Sequence, residues 1–290
     1  GQEVESPVIS GHIPFDILYK KDAKANTFLT LTATFDNAIF SLPWLSYHKQ
    51  KGTSATCYIE AKSLAGNEFI IQKGSLNGKN LKATLSGSWG AAGSKLKLSN
   101  LQIGETSGYL TIAHRQGRLI LKGNVNEFDM LTLLNEWPAT DNSPSSLPDT
   151  DINLTINKLI FSDTYQLKKA TFTLQLTDGD VQTIHLRDKA NQFHFLLTPT
   201  ENGVQAFNLE AMDAAELLES MNPGTDLEGG HINFIGHRTK KDSHSFIEGE
   251  LDIKNLIVFE APLLAKILSL SSIQGIIHAL SGKGVKFDQG

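Results

Sequence analysis

Histidines are the residues of this chain best suited to metal binding, since nine of them occur in 290 residues. The densest group is His231, His237 and His244, with spacings of six and seven. Zinc ligands are typically four residues apart on a helix or two apart on a hairpin, so this spacing favours solvated side chains. His185 and His194 flank a predicted turn and could meet across two strands as part of a polar face. We therefore expect no metal site.

Motifs for nucleophilic or cofactor chemistry do not occur in the sequence. There is no Gly-x-Ser-x-Gly elbow, phosphate-binding loop or dinucleotide fingerprint. Cys57 lies in a strand-like run and is typical of a small buried hydrophobe. As the one cysteine in the sequence, it also excludes an intrachain disulfide. We predict that the chain has no catalytic residue and no cofactor, and that it is not an enzyme.

Composition bounds the class of protein and its partners. With 26 basic and 31 acidic side chains, the formal net charge is −5 and the pI about 6.0, which gives no support for nucleic acid as a partner. Hydrophobic residues make up 40% of the chain and the mean hydropathy is −0.16, values typical of a globular protein. The most apolar stretch, 261–280, is interrupted by Lys266, Gln274 and His278, so we expect any membrane anchor to lie outside this chain.

Alternation of apolar and polar residues with a period of two is the main structural signal, and it predicts strands with one apolar face. The run at Leu81, Ala83 and Leu85 shows the pattern clearly. Because a long one-sided sheet must cover its apolar face, we interpret the apolar positions of six other runs as the floor of an open groove that holds something apolar. The predicted floor residues are Leu29, Leu31, Phe35, Ile152, Leu154, Ile156, Phe172, Leu174, Leu176, Phe193, Phe195, Leu197, Ile232, Phe234, Leu251 and Ile253. The members from Phe172 to Leu197 are expected to share one face.

Short turns connect these runs. The pairs 77–78, 116–117, 178–179 and 202–203 each end in glycine after Asn, Gln or Asp, a composition that favours tight hairpins. Helices long enough to connect parallel strands are missing from the pattern. The predicted fold is mainly β: a long, twisted antiparallel meander sheet curled into an open groove, with a few short helices. A closed sandwich or barrel is the alternative.

Three short helices and a division of the chain are also predicted. The helices cover about 128–134, 212–218 and 262–280; the first two begin with a capping Asp, and the third with Pro262. Residues 138–150 contain three prolines and three serines and are predicted to be a linker or exposed loop. The expected segments are therefore 1–137, a β-groove with a short helix at its end, and 151–290, a β-groove with the helix 262–280.

The C-terminal half resembles a known family. Residues 249–256, 261–275 and 280–287, preceded by 211–218 and Gly229-Gly230, are similar to the C-terminal region of AsmA-like proteins of Gram-negative bacteria, especially the large YhdP-type members. The resemblance is specific over about 204–287 and compatible with the rest of the chain. It includes no catalytic motif.

The resemblance implies a function. It suggests a periplasmic segment of a bridge-like, repeating β-groove lipid transfer protein, anchored in the inner membrane by a helix outside this chain. Phospholipid acyl chains would lie on the apolar floor between inner and outer membrane, and membrane-associated proteins would be partners. The alternative is a β-rich scaffold or assembly module for outer-membrane biogenesis with a closed, dry core.

Overall fold

The structure is a computed structural model that describes residues 2–5, 9–23, 26–42, 45, 47–63, 68–130, 148–178, 180–200, 203–221, 226–241 and 244–259. These residues are organised mainly as strands. The elements are β1 (Gln2–Glu5), β2 (Ile9–Ile13), β3 (Phe15–Lys21), β4 (Thr27–Thr34), β5 (Ala38–Leu42), β6 (Tyr47–Lys49), β7 (Ala55–Ser63), β8 (Phe69–Gly78), β9 (Leu81–Gly90), β10 (Gly93–Ile103), β11 (Thr106–Arg115), β12 (Arg118–Asp129), β13 (Thr150–Ile160), β14 (Gln166–Thr177), β15 (Asp180–Arg187), β16 (Phe193–Pro199), β17 (Gln205–Ala211), α1 (Ala214–Met221), β18 (Leu227–Lys241) and β19 (His244–Val258).

Fifteen of the strands form one large sheet, and the other four form a small one. The large sheet runs β19-β18-β17-β16-β15-β14-β13-β12-β11-β10-β9-β8-β7-β4-β3, so strands that follow one another in sequence are neighbours in the sheet almost throughout. The small sheet has the order β1-β2-β5-β6. Because the order of the large sheet has two ends, the sheet is not closed. The predicted mainly β, open meander is confirmed.

By backbone contacts the chain divides into two compact units. Unit 1 comprises Gly1–Phe128 and Thr150–Leu154, and unit 2 comprises Asp129–Asp149 and Thr155–Gly290. Residues 131–147 lie outside the described part of the chain, so the predicted linker at 138–150 stays a prediction.

The small sheet of unit 1 packs against one end of that unit's apolar face. Tyr47 on β6, Ala55 on β7 and Leu81 on β9 form a buried cluster. Partly buried side chains from both sheets surround it: Phe35, Phe40, Leu42, Leu76 and Ile103. The rings of Phe35 and Phe40 lie 5.3 Å apart, which places strand β5 directly over the end of the large sheet.

Two local predictions need correction. Phe128 and Asp129 end strand β12, so the helix predicted over 128–134 does not begin before Met130. The strand extends this far because the Thr106 hydroxyl donates to the main-chain carbonyl of Glu127 (2.8 Å) and the Phe128 side chain is buried. The hairpin turn predicted at 77–78 lies at Lys79 and Asn80 instead, since Gly78 already pairs with Leu81. Asn80 supplies the positive φ (52°) that the tight turn requires.

In unit 2, residues that face each other across the ladder form continuous apolar rows. One row pairs Phe172 with Leu186, Leu186 with Phe195, Phe195 with Leu209, Leu209 with Phe234, and Phe234 with Leu251. Directly opposed residues in antiparallel strands point to the same face of a sheet. The prediction that residues from Phe172 to Leu197 share a face is therefore confirmed.

Helix α1 covers one end of this face. Its N-terminus is capped as predicted, because the main-chain amide of Glu216 donates to Oδ1 of Asp213 (3.0 Å). The helix packs against β18 with Leu217 and Leu218 buried. Among the described side chains of β18, the buried apolar ones are Ile232 and Phe234, both on the apolar face, so the helix lies on that face. The helix predicted over 262–280 lies outside the described residues.

A glycine pair makes room for two aromatic rings on the same face. Gly236 and Gly249 are directly opposed on β18 and β19. A Cβ atom added at Gly236 would lie 2.8 Å from Cε1 of Phe207 and 2.5 Å from the carbonyl oxygen of Glu248. The rings of Phe207 and Phe234 meet edge to face with centroids 4.6 Å apart, above these glycines. The glycines thus leave room for two large rings close to the backbone.

Gly236→Ala is expected to destabilise the chain by about 1–3 kcal/mol, because the new methyl group must displace Phe207 and the β19 backbone together. Urea unfolding of residues 1–290 measures the change. Thr171→Ala, at an exposed position of β14, is the control and should cost much less. Equal losses in the two variants would contradict the packing argument.

Candidate apolar binding face

The predicted floor residues lie on strands, with one exception. Phe35 follows the last residue of β4, and its amide donates to the carbonyl of Ala55 (2.8 Å). The other fifteen lie on β4, β13, β14, β16, β18 and β19. In unit 1, Leu29 and Leu31 face Ala61 and Ile59 across the β4–β7 ladder. In unit 2, the rows described above bring together the floor residues of β14, β16, β18 and β19.

Burial separates these residues into two groups. Nine are buried within the chain itself and expose at most 8% of their surface: Leu154, Ile156, Phe172, Leu174, Leu176, Phe193, Leu197, Ile232 and Phe234. Seven are half-buried: Leu29, Leu31, Phe35, Ile152, Phe195, Leu251 and Ile253. In this conformation the first group offers almost no surface to a ligand. Any ligand on the predicted floor would therefore contact the second group.

Sequence reasoning missed a second set of half-buried apolar residues on unit 1. We call this set the apolar strip: Leu96, Leu98, Leu110, Ile112 and Leu121. Leu96 is paired with Ile112, and Ile112 with Leu121, while Leu98 is paired with Leu110. The same alternation was present in the sequence, most clearly where Leu96 and Leu98 follow Lys95 and Lys97.

The apolar strip borders a buried cluster on the same face. Ala83, Leu85 and Leu101 form a core cluster, and three members of the strip, Leu96, Leu98 and Leu110, pack against it. Leu98 and Leu101 lie on the same face although they are three residues apart, because a bulge at Ser99 and Asn100 shifts the register. Asn100 adopts a φ of 50° there. The strip is therefore a continuous surface of aliphatic side chains that are held in place by buried neighbours on the same face but are only half covered.

The opposite face of the same strands carries several lysines, together with the apolar pair Ala113 and Ile120. Lys97 is paired with Ser86 and with Thr111, which in turn is paired with Lys122. Lys95, Lys97 and Lys122 are all exposed. The exposed lysines of β10 and β12 thus lie on the face opposite the apolar strip, as alternation predicts.

Within the described residues, the histidines do not gather into a metal site, and the cysteine thiol is not activated. Among the described residues, no group of three or more His, Cys, Asp or Glu side chains could hold a metal ion. His231 lies 3.1 Å from the Met212 sulfur through Nδ1 and 3.7 Å from Glu210 through Nε2, and His237 is exposed. Burial raises the pKa of the Cys57 thiol, which keeps it protonated and weakly nucleophilic. No helix in the described part of the chain has the length and apolar character needed to cross a membrane.

His185 and His194 do meet, as the sequence suggested, on the polar face of unit 2. Their rings contact edge to face with centroids 5.1 Å apart. Within the described residues, neither Nε2 of His185 nor Oδ1 of Asn208, both buried, has a hydrogen-bond partner. Burial lowers the pKa of His185, and the nearby His194 and Arg187 lower it further. The folded state therefore favours neutral His185.

No protein-family profile matches the chain, and a search of curated proteins finds no match. The AsmA-like resemblance therefore rests on the residues quoted for it and stays a prediction.

The low pKa of His185 predicts a loss of stability in mild acid. Above pH ~6.5 the side chain is neutral in both states and has no effect. Below that pH the unfolded chain takes up a proton that the folded chain excludes, so the free energy of unfolding falls as the pH is lowered. His185→Phe should reduce this slope between pH 7.5 and 5.5 in urea unfolding.

The control for this experiment is His114→Phe, at an exposed histidine of β11, which should leave the slope as it is in the unmodified chain. An unchanged slope in His185→Phe would show that other groups cause the acid sensitivity.

Proposed function

We propose that this chain is a non-enzymatic segment of a bridge-like lipid transport protein, and that its apolar face carries phospholipid acyl chains. The observation that supports this best is the apolar strip. It presents five half-buried aliphatic side chains in register across β10, β11 and β12, on an open sheet. The half-buried floor residues add to the same kind of surface.

The chemistry of such a surface suits an acyl chain. Each methylene that leaves water for an apolar contact gains about 0.8 kcal/mol, so even a partly covered chain is held firmly. Aliphatic side chains make no directional hydrogen bonds, so sliding along the strip breaks no specific contact. Because the sheet is open, a charged headgroup can remain in water while the tail lies on the face.

The wider assignment follows from the resemblance. Residues 249–256 and 261–275 support a periplasmic location, anchoring in the inner membrane, and a role in moving phospholipid between inner and outer membrane. Membrane-associated proteins are the expected protein partners, and no nucleic acid or cofactor takes part.

A second function has an observation of its own. Nine predicted floor residues are already buried by the chain itself, and Ile156 has no exposed surface. Such packing is what a scaffold or assembly module with a dry core would show. This alternative predicts no bound lipid at any stage of purification.

Lipid content distinguishes the two functions. Native mass spectrometry and solvent extraction of the purified chain should show co-purifying phospholipid. Ile112→Asp should reduce the bound lipid at least about tenfold, because a carboxylate in contact with an acyl chain costs several kcal/mol. Since Ile112 is half-buried, the new carboxylate can reach water when no lipid is present, and the chain should lose no more than about 2 kcal/mol of stability.

Thr111→Asp is the matched control. Thr111 is the preceding residue of β11, is also half-buried, and points to the opposite face. This variant should keep its lipid. Absence of lipid from the unmodified chain, or equal loss from both variants, would rule out acyl-chain binding at the strip and favour the scaffold.

A further inference from the structure

Strand β3 forms one end of the large sheet and is unusually exposed. Within the described residues it pairs with β4 alone, and all seven of its residues are exposed. Its large apolar side chains are among the most exposed of the described chain: Phe15 at 42%, Ile17 at 58%, Leu18 at 51% and Tyr19 at 60%. Such a surface is typical of an interaction site.

The backbone of β3 also has hydrogen-bonding groups that point away from the sheet. The amide of Thr34 donates to the carbonyl of Pro14 (3.0 Å), and the ladder continues from there with Phe15 opposite Ala33. Hydrogen-bonded and non-hydrogen-bonded pairs alternate in an antiparallel ladder. The main-chain groups of Asp16, Leu18 and Lys20 therefore face β4. Those of Phe15, Ile17, Tyr19 and Lys21 point outward.

Most devices that protect a sheet edge are missing here. The β3–β4 register runs without a shift from Phe15 to Lys21, so no bulge twists the edge away, and no proline lies within the strand. Lys20 and Lys21 are the two residues that would discourage pairing. A suitable partner strand must therefore place acceptable groups opposite these lysines.

We infer that β3 pairs antiparallel with β3 of a second copy of this chain, with Leu18 opposite Leu18 at the twofold axis. Outward-pointing residues can hydrogen-bond only to outward-pointing residues, so the register can shift only in steps of two. The register centred on Leu18 places Asp16 opposite Lys20 of the second copy, and Lys20 opposite its Asp16. Asp16 and Lys20 of each strand are thus both paired with opposite charges, while Lys21 lies opposite Phe15 of the second copy.

The neighbouring registers lack this complementarity. A shift in one direction places Asp16 opposite Leu18 of the second copy, and a shift in the other places it opposite Asp22. Only the register centred on Leu18 pairs both charges with opposite ones. Opposed ion pairs across antiparallel strands are stabilising, whereas like charges are destabilising.

The same register joins the apolar faces of the two copies. Ile17 and Tyr19 lie on the face that carries Leu31 and Leu29, their partners on β4. In the dimer Ile17 lies opposite Tyr19 of the second copy, again on that face. The twofold contact is self-complementary and closes with two copies, as symmetric dimers do.

Charge reversal tests the register directly. The unmodified chain of residues 1–290 should form a dimer in a concentration series followed by analytical ultracentrifugation. D16K places the introduced lysine opposite Lys20 of the second copy, twice by symmetry, and K20D does the same with two carboxylates. Each variant alone should associate at least about tenfold more weakly.

An equimolar mixture of D16K and K20D provides the decisive result. In the mixed dimer every position 16 again faces an opposite charge at position 20, so association should return to near that of the unmodified chain. Amide hydrogen exchange should show new protection at Ile17 and Tyr19 on dimerisation, while the amide of Leu18 is protected in both states. The control is the double variant Glu60→Lys and Lys73→Glu, which exchanges an opposed charge pair on β7 and β8. It should change none of these results.

Three outcomes would overturn the inference. The unmodified chain could remain monomeric up to about 1 mM, which would leave the edge to another protein segment. The two variants could fail to recover association when mixed. Larger species could form without limit, which would indicate head-to-tail pairing of β3 with β19 in place of a closed dimer.

Discussion

An open sheet must keep its apolar face away from water without closing on itself, and most of this structure follows from that requirement. Each unit meets it locally. In unit 1 the small sheet brings Tyr47 and Phe40 onto one end of the face, and in unit 2 helix α1 buries Leu217 and Leu218 on it. Away from these covers the burial is uneven: Ile156 and Leu174 are buried, whereas Leu98, Ile112 and Leu121 remain half-buried. The most consequential surface of the molecule is therefore the part of the face that its own chain leaves incompletely covered.

The register of the ladder keeps this face continuous, and bulges are part of how it does so. A slip of one residue would turn every side chain of a strand to the wrong face. At Asn100 in β10 and Lys169 in β14, positive φ values of 50° and 58° accompany a change in the alternation. As a result Leu167 and Ala170 are both buried although they are three residues apart. In the same way Leu98 and Leu101, also three residues apart, lie on one face. The bulge residues Asn100 and Lys169 thus keep the apolar side chains of their strands on one face.

Much of the fold could be predicted because alternation is local information: two apolar residues two positions apart already define a face. The capping of α1 by Asp213 could be predicted for the same reason. The burial of individual side chains could not be predicted, because it depends on which distant element covers a strand. Ile156 and Phe195 looked equivalent in sequence, yet one is fully buried and the other half-buried. The end of β12 was missed because a hydroxyl from another strand, that of Thr106, holds its backbone in place.

A buried polar group needs hydrogen-bond partners, and the apolar face provides none. Lys49 is buried, but its Nζ donates to the carbonyls of Ala38 (2.7 Å) and Gln50 (3.3 Å), so the charge finds acceptors within the small sheet. The side chains of the apolar strip have no such groups, and the backbone beneath them is already used by the ladders of β10, β11 and β12. An occupant with polar groups turned toward the strip would lose its hydrogen bonds to water and receive none in exchange. The strip is therefore matched to an occupant made of methylene groups, and an acyl chain meets that condition along its whole length.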